Sequence, residues 1–175
     1  KRLHFQPKKK KNIGFYSNAV KNPLQEALGE KLPLQANCPG YQLFMCSSGA
    51  EANENALKMA SFVTGRKKVV AFHNSFHGRT SAAVAATDNP KIVAPINVQQ
   101  EVEFLPLGDL DALAAVLAKG DVCAVIVEFI QGVGGLDIST AEFYEGVDKL
   151  CKETGTCLIA DEVQAGFGRT VFFFF

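Results

Sequence analysis

From Tyr41 onward the chain alternates short apolar runs with longer stretches whose apolar residues recur every three or four positions. YQLFMC, residues 41–46, reads as a short apolar strand. SSGAEANENALKMASFVTG reads as a helix, with Ala52, Ala56, Met59, Ala60 and Val63 along one face and Gly65 as its C-terminal stop. KKVVAF predicts a second strand, followed by the polar loop HNSFHGRT and an alanine-rich helical piece through Ala86. EVEFLPL predicts a third strand. DLDALAAVLAKG predicts a helix that turns Leu110, Leu113 and Leu117 inward and ends at Gly120. VCAVIVEF is apolar throughout until it reaches Glu128. STAEFYEGVDKLCKETG predicts a helix opened by a capping box from Ser139 to Glu142, with Phe143, Val147, Leu150 and Cys151 on one side. TCLIAD is the last strand. Before Gly40 the pattern is weak: Asn22 is placed as an N-cap, Pro23 as the first helical residue of a short helix, and CPGYQ as a turn.

Apolar strands alternating with amphipathic helices predict an α/β domain with a mainly parallel sheet and helices on both faces. No internal repeat interrupts the rhythm. The pattern divides the chain into an N-terminal segment over residues 1–40, a domain over residues 41–171, and a phenylalanine-only end at 172–175. In sheets of this kind ligands bind beyond the carboxyl ends of the strands. Those ends carry SSGAE, HNSFHGR, EFIQG and DEVQ.

Composition narrows the class without changing the picture. At 175 residues, with 47% hydrophobic and 21% charged content, the chain is expected to be one soluble globular domain or most of one. Basic and acidic residues balance at 18 each, which gives no overall pull toward nucleic acid or a membrane surface. Six of the basic groups lie in the first eleven residues. No basic, aromatic-rich surface accompanies them, so a solvated segment is the favoured reading over a nucleic-acid tail. The five cysteines form no CxxC pair and read as reduced, partly buried thiols. His73 and His77 are four apart but lack the glutamate and helical setting of a zinc motif. No stretch is apolar enough to span a bilayer and the start lacks a signal-peptide core, so a cytoplasmic protein is expected.

The four strand ends suggest specific chemistry. Ser48 and Glu51 have capping-box spacing, which puts a helix N-terminus directly after a strand. Gly49 and Ala50 then offer backbone N–H groups to an anion at the positive end of that helix. A plain, well-capped strand-to-helix connection is the alternative. In FHGR, Arg79 suits a carboxylate, Phe76 can stack on a planar ring, and His77 lies between them. Asp161 ends a strand apolar enough to be buried, so its carboxylate needs a cationic or hydrogen-bonding partner. Period-two alternation puts Asp161 and Val163 on one side, and Glu162 and Gln164 on the other. An acid beside a small apolar residue suits a flat cationic heterocycle. Equally, Asp161 can cap the turn AGFGRT or pair with Arg169, while Glu162 can simply be solvated. GxGxxG, GxSxG, a Walker A motif and a metal-ligand cluster are all absent.

NPLQ, SGAEANENALK, AFHNSFHGRT, ATDNPK, AVIVEFIQG and IADEVQAGFGRT, in this order from about residue 13 to residue 170, resemble the class III pyridoxal-phosphate (PLP) aminotransferases. The likeness is to the acetylornithine or succinylornithine branch. It implies part of the large domain of a fold type I PLP-dependent transferase, homodimeric when complete. The amino group of the acylated ornithine would pass to 2-oxoglutarate by a ping-pong route in arginine biosynthesis. The resemblance implies that Ser48, Gly49 and Ala50 hold the cofactor phosphate. Phe76 and Val163 would cover the two faces of the pyridine ring, with His77 nearby. Asp161 would pair with the ring nitrogen, where a carboxylate favours the charged form by about 1–3 pKa units. Gln164 would meet the phenolic oxygen and Arg79 the substrate carboxylate, while Glu128 would stand at the rim and order its neighbours. Small-molecule amino-acid and 2-oxoacid partners follow, with no nucleic acid and no membrane.

The departures bear on activity. Phe129 stands where many relatives have proline, and Val133 stands where several carry a glutamate that gates substrate side chains. The family's catalytic lysine, which binds the cofactor covalently and shuttles a proton, would fall beyond Phe175. That implies a fragment that is inactive alone. Alternatives are another class III activity of the ornithine, GABA or aminomutase type, or an inert module that only binds PLP or oligomerises.

Overall fold

The computed structural model describes residues 23–169. Its first element, α1 (Pro23–Gln35), opens on a proline whose fixed φ and missing N–H suit a first helical turn. It buries none of its side chains, and Pro33 lies near its end. The expected cap at Asn22 lies outside the described residues. A separate compact unit begins at Cys46. It contains α2 (Gly49–Thr64), β1 (Lys68–Phe72), α3 (Ser81–Ala85), β2 (Val102–Leu105), α4 (Leu110–Leu117), β3 (Val122–Val127), α5 (Ala141–Thr154) and β4 (Cys157–Ala160).

The strands form one parallel sheet in the order β2-β1-β3-β4. Alternation along β1 sends Val70 and Phe72 into a core with α4 and α5, including Leu113, Leu117, Phe143 and Val147. Val69 and Ala71 face the other way, onto Leu57 and Ala60 of α2. In β3 the alternation slips: Cys123 and Ala124 both belong to the α2 side. The pairing with β1 shifts register at the same place, where Lys68 faces Val122 and Val69 faces Ala124. One extra residue in a strand has this effect. At the amino end of the sheet, Arg66 donates to the carbonyl oxygens of Val122 and Thr154, at 3.0 and 3.2 Å. Fastening the fold at that end leaves the opposite end free for chemistry.

Several expectations need correction. Residues 41–46 form no strand. Tyr41 and Phe44 are exposed, and the segment pairs with no strand among the described residues. A short apolar run specifies a strand only where an edge accepts its backbone. The buried face of α2 is Asn53, Leu57 and Ala60; of the expected stripe Ala60 is buried, whereas Met59 and Val63 are 60% and 73% exposed. The polar Asn53 hid the true stripe, while alanines suggested a false one. The cap of α5 is Thr140 rather than Ser139, its hydroxyl accepting from the N–H of Phe143 at 3.3 Å. Gly65 and Gly155 end α2 and α5 in the left-handed region, at φ 70° and 65°.

The sheet order places the site. The chain leaves β1 toward β2 on one side, then crosses back to lay β3 on the other side of β1. The loops leaving β1 and β3 therefore diverge, and a crevice opens between them at their carboxyl ends.

Candidate functional site

That crevice is a cleft of about 330 Å³, at the lower end of the roughly 300–1,000 Å³ typical of small-molecule sites. All ten residues singled out from the sequence line it, joined by Asn53, Gly78 and Thr80.

The first wall is the start of α2. Ser48 is extended (φ −156°, ψ 162°), and its hydroxyl accepts from the N–H of Glu51 at 3.2 Å. Glu51 reaches back, its Oε2 accepting from the N–H of Ser47 at 2.7 Å. The cap thus occupies the Ser48 hydroxyl and leaves the next N–H groups pointing out of the helix end, where the dipole favours an anion. Gly49 is required by contact. A Cβ there would lie 2.6 and 2.7 Å from the two methyl groups of Val163. Gly78 brings the loop after β1 onto the same helix end: it has φ 138°, and a Cβ there would lie 2.7 Å from that of Ala50.

The second wall is that loop. Glu128, directly after β3, accepts from the N–H of Phe76 at 2.8 Å and from that of Gly132 at 3.3 Å. At 3% exposure it lies beneath Phe76, deeper than the rim position expected for it. Burial pushes its carboxyl group up from the ordinary glutamate range. The N–H of Phe76, the nearby His77 and the N–H of Gly132 oppose that, while Asp161 adds to it. Arg79 is exposed at the mouth and makes no ion pair among the described residues.

The floor is Asp161, 5% exposed. Its Oδ2 accepts from Asn53 Nδ2 and meets His77 Nδ1, both at 2.8 Å, and its Oδ1 accepts from the N–H of Val163 at 3.1 Å. Asp161 does cap the turn that follows, but its side-chain partners are Asn53 and His77 rather than Arg169. An ionised carboxylate has about four acceptor positions. Three are taken, and one is left for a donor from the cleft. Because the carboxylate can only accept, His77 carries a proton on Nδ1, and its buried Nε2 has no hydrogen-bond partner among the described residues. His77, 2% exposed at the edge of the cleft, thus backs Asp161.

The strand ends at Ala160, so period-two alternation does not continue through Gln164. The chain turns, and Asp161, Val163 and Gln164 all reach the cleft. Glu162 is half-buried rather than solvated, with Gly166 packed against it. Asn53 is the residue that the sequence reading missed. The available signal was a polar group in step with Leu57 and Ala60 on a buried helical face.

These groups suit a small, flat, phosphorylated cation. Helix N–H groups would meet its phosphate, one open carboxylate position would meet a ring N–H, and Phe76 and Val163 would offer apolar surface to its faces. The residues present therefore fit pyridoxal phosphate. No group of three or more His, Cys, Asp or Glu side chains among the described residues is arranged to hold a metal ion, and no helix among them is long and apolar enough to cross a membrane.

Comparison with known proteins agrees with this chemistry. The profile of the family described as Aminotransferase class-III matches residues 6–174. The acetylornithine aminotransferases of Bacillus amyloliquefaciens and Bacillus subtilis are each 42% identical over 160 residues, or 91% of this chain. The chain spans 69% of the length of the first and 41% of the second. The crystal structure of N-acetylornithine aminotransferase from Stenotrophomonas maltophilia superposes with a TM-score of 0.69 at 31% identity, over 89% of this chain and 38% of that one. With a PLP-suited cleft at the switch point of a parallel sheet, and a family match over nearly its whole length, the chain belongs to the class-III aminotransferases, a PLP-dependent family.

Proposed function

We propose that this chain forms the cofactor cradle of an aminotransferase that moves the amino group of N-acetylornithine, or N-succinylornithine, to 2-oxoglutarate, in the synthesis of arginine. The observation that carries the reading is Asp161: a buried carboxylate held by three donors, with one acceptor position left, beside an anion-binding helix end. Bound PLP supplies an electron sink for charge developing at the substrate α-carbon, and does so best with its ring nitrogen protonated. Asp161 keeps that nitrogen protonated. Gly49 and Ala50 hold the phosphate through their N–H groups, next to the hydroxyl of Ser48. Phe76 and Val163 clamp the ring, Gln164 meets its phenolic oxygen, and His77 supports Asp161 from behind. Arg79, exposed and unpaired among the described residues, receives the substrate carboxylate. Glu128 fixes the backbone of Phe76 and hence the level of the stacking ring.

No lysine lines the cleft among the described residues, which fits a covalent lysine outside them. Homodimerisation and a cytosolic setting complete the reading. Both rest on the family resemblance.

Three measurements test it. Titrating the chain with pyridoxamine phosphate is expected to give saturable binding that Asp161→Ala weakens at least about tenfold. Absence of binding, or indifference to Asp161, would sink the reading. Treating the chain with PLP and then borohydride fixes any lysine-bound cofactor permanently. The expectation is no stoichiometric label on a single lysine, and such a label would contradict the placement of that residue. For substrate choice, competition between N-acetylornithine and free ornithine in an enzyme containing this chain is expected to favour the acylated donor.

A further inference from the structure

We infer that Asn53 is a positioning residue that holds the Asp161 carboxylate in the orientation required by the cofactor's ring nitrogen. The inference rests on the PLP reading above. Asn53 lies on the buried face of α2, in register with Leu57 and Ala60, at 5% exposure. An apolar residue would ordinarily occupy such a position, since a buried amide is costly unless both its hydrogens find acceptors. Both do. Nδ2 donates to Asp161 Oδ2 and to the backbone carbonyl of His77, each at 2.8 Å.

The carbonyl of His77 belongs to the same residue whose ring meets Asp161 Oδ2 at 2.8 Å. Asn53, His77 and Asp161 thus form a closed ring of hydrogen bonds that joins α2, the loop after β1 and the end of β4. Two donors converge on Oδ2 and fix the plane of the carboxylate. The N–H of Val163 takes one position on Oδ1, so the last acceptor position has a defined direction. The two donors come from different elements, the imidazole from the loop after β1 and the amide from α2, so Asn53 ties the carboxylate to the helix whose N-terminus lines the same cleft. Its amide hydrogens are both committed, to Asp161 and to the carbonyl of His77, so its influence passes through that carboxylate.

The test uses the whole chain, pyridoxamine phosphate as the probe, and two readouts. These are the dissociation constant and the pH at which the ring nitrogen of the bound probe titrates, read from its absorbance. Asn53→Leu is expected to raise the dissociation constant about tenfold and to lower the ring titration by about one pH unit. In an Asp161→Ala background the same change is expected to alter the dissociation constant by less than about twofold, because the group it acts through is gone. Asn53→Ser, which keeps one donor, is expected to fall between. If Asn53→Leu does not fold, Asn53→Ser carries the same comparison in both backgrounds. Wild-type affinity and titration in the variant would overturn the inference. So would an equal loss in both backgrounds, which would mark Asn53 as merely structural. Failure of the wild-type chain to bind, or an Asp161→Ala chain that binds normally, would instead remove the PLP reading, and this inference with it.

Discussion

Asp161 and Glu128 are both buried acids at strand ends, yet their surroundings differ, and so does the behaviour expected of them. Asp161 has side-chain donors on one oxygen and a backbone donor on the other. Glu128 has two backbone N–H groups, and burial outweighs them to push its carboxyl group up. A carboxyl group whose folded value is raised binds its proton more tightly in the native state than in the unfolded one. Stability therefore falls as pH rises from the ordinary glutamate range through the raised value, and levels off above it. Glu128→Gln is expected to remove that slope from a plot of denaturation midpoint against pH; an unchanged slope would assign it to another group. Gly49→Ala is expected to push Val163 off the helix end and weaken pyridoxamine phosphate binding about tenfold, with little change in melting temperature. At this scale the sequence was informative where a residue departs from its surroundings. Asp161 stands out at the end of an apolar run, and Arg79 and Phe76 stand out in a polar loop. Asn53 was not legible, because its meaning depends on acceptors 24 and 108 positions away.

Elements were legible to the extent that their signals are local. The helices α2, α4 and α5 and the strands β1, β3 and β4 follow from periodicity and from the glycines that end them. Residues 41–46 carry the same apolar signal as a strand, but pairing is a property of two segments and cannot be read from one. Thr140 and Ser139 are adjacent and chemically alike, so only the backbone geometry decided which of them caps α5. Thr140→Ala is accordingly expected to cost about 1 kcal/mol, and Ser139→Ala to stay within about 0.5 kcal/mol, by chemical denaturation. Equal effects would contradict the assigned cap. On α2, Leu57→Ala is expected to cost about 2–5 kcal/mol as a buried truncation. Met59→Ala, on the exposed stripe, should cost far less.

Across the molecule, alternating strands and helices were enough to predict a parallel sheet covered on both faces, and hence a site at the carboxyl ends of its strands. The order β2-β1-β3-β4 was not legible, since nothing local states on which side of β1 the chain will return. That order opens the crevice between the loops after β1 and β3, and it gathers residues more than a hundred positions apart into one cleft. Cohesion of the unit can be followed at Cys151, a 2% exposed thiol that burial, aided by Asp148 and Cys157, pushes up to about 12. Iodoacetamide at pH 8 is expected to leave it unmodified until the unit unfolds; rapid labelling under native conditions would show a core looser than described. The central claim is that these strand ends together form a PLP cradle, and a crystal structure of the chain with pyridoxamine phosphate tests it most directly. The account predicts the phosphate on the N–H groups of Gly49 and Ala50, the ring between Phe76 and Val163, and its nitrogen within hydrogen-bonding distance of Asp161; a probe bound elsewhere, or with its ring nitrogen turned away from Asp161, would contradict it.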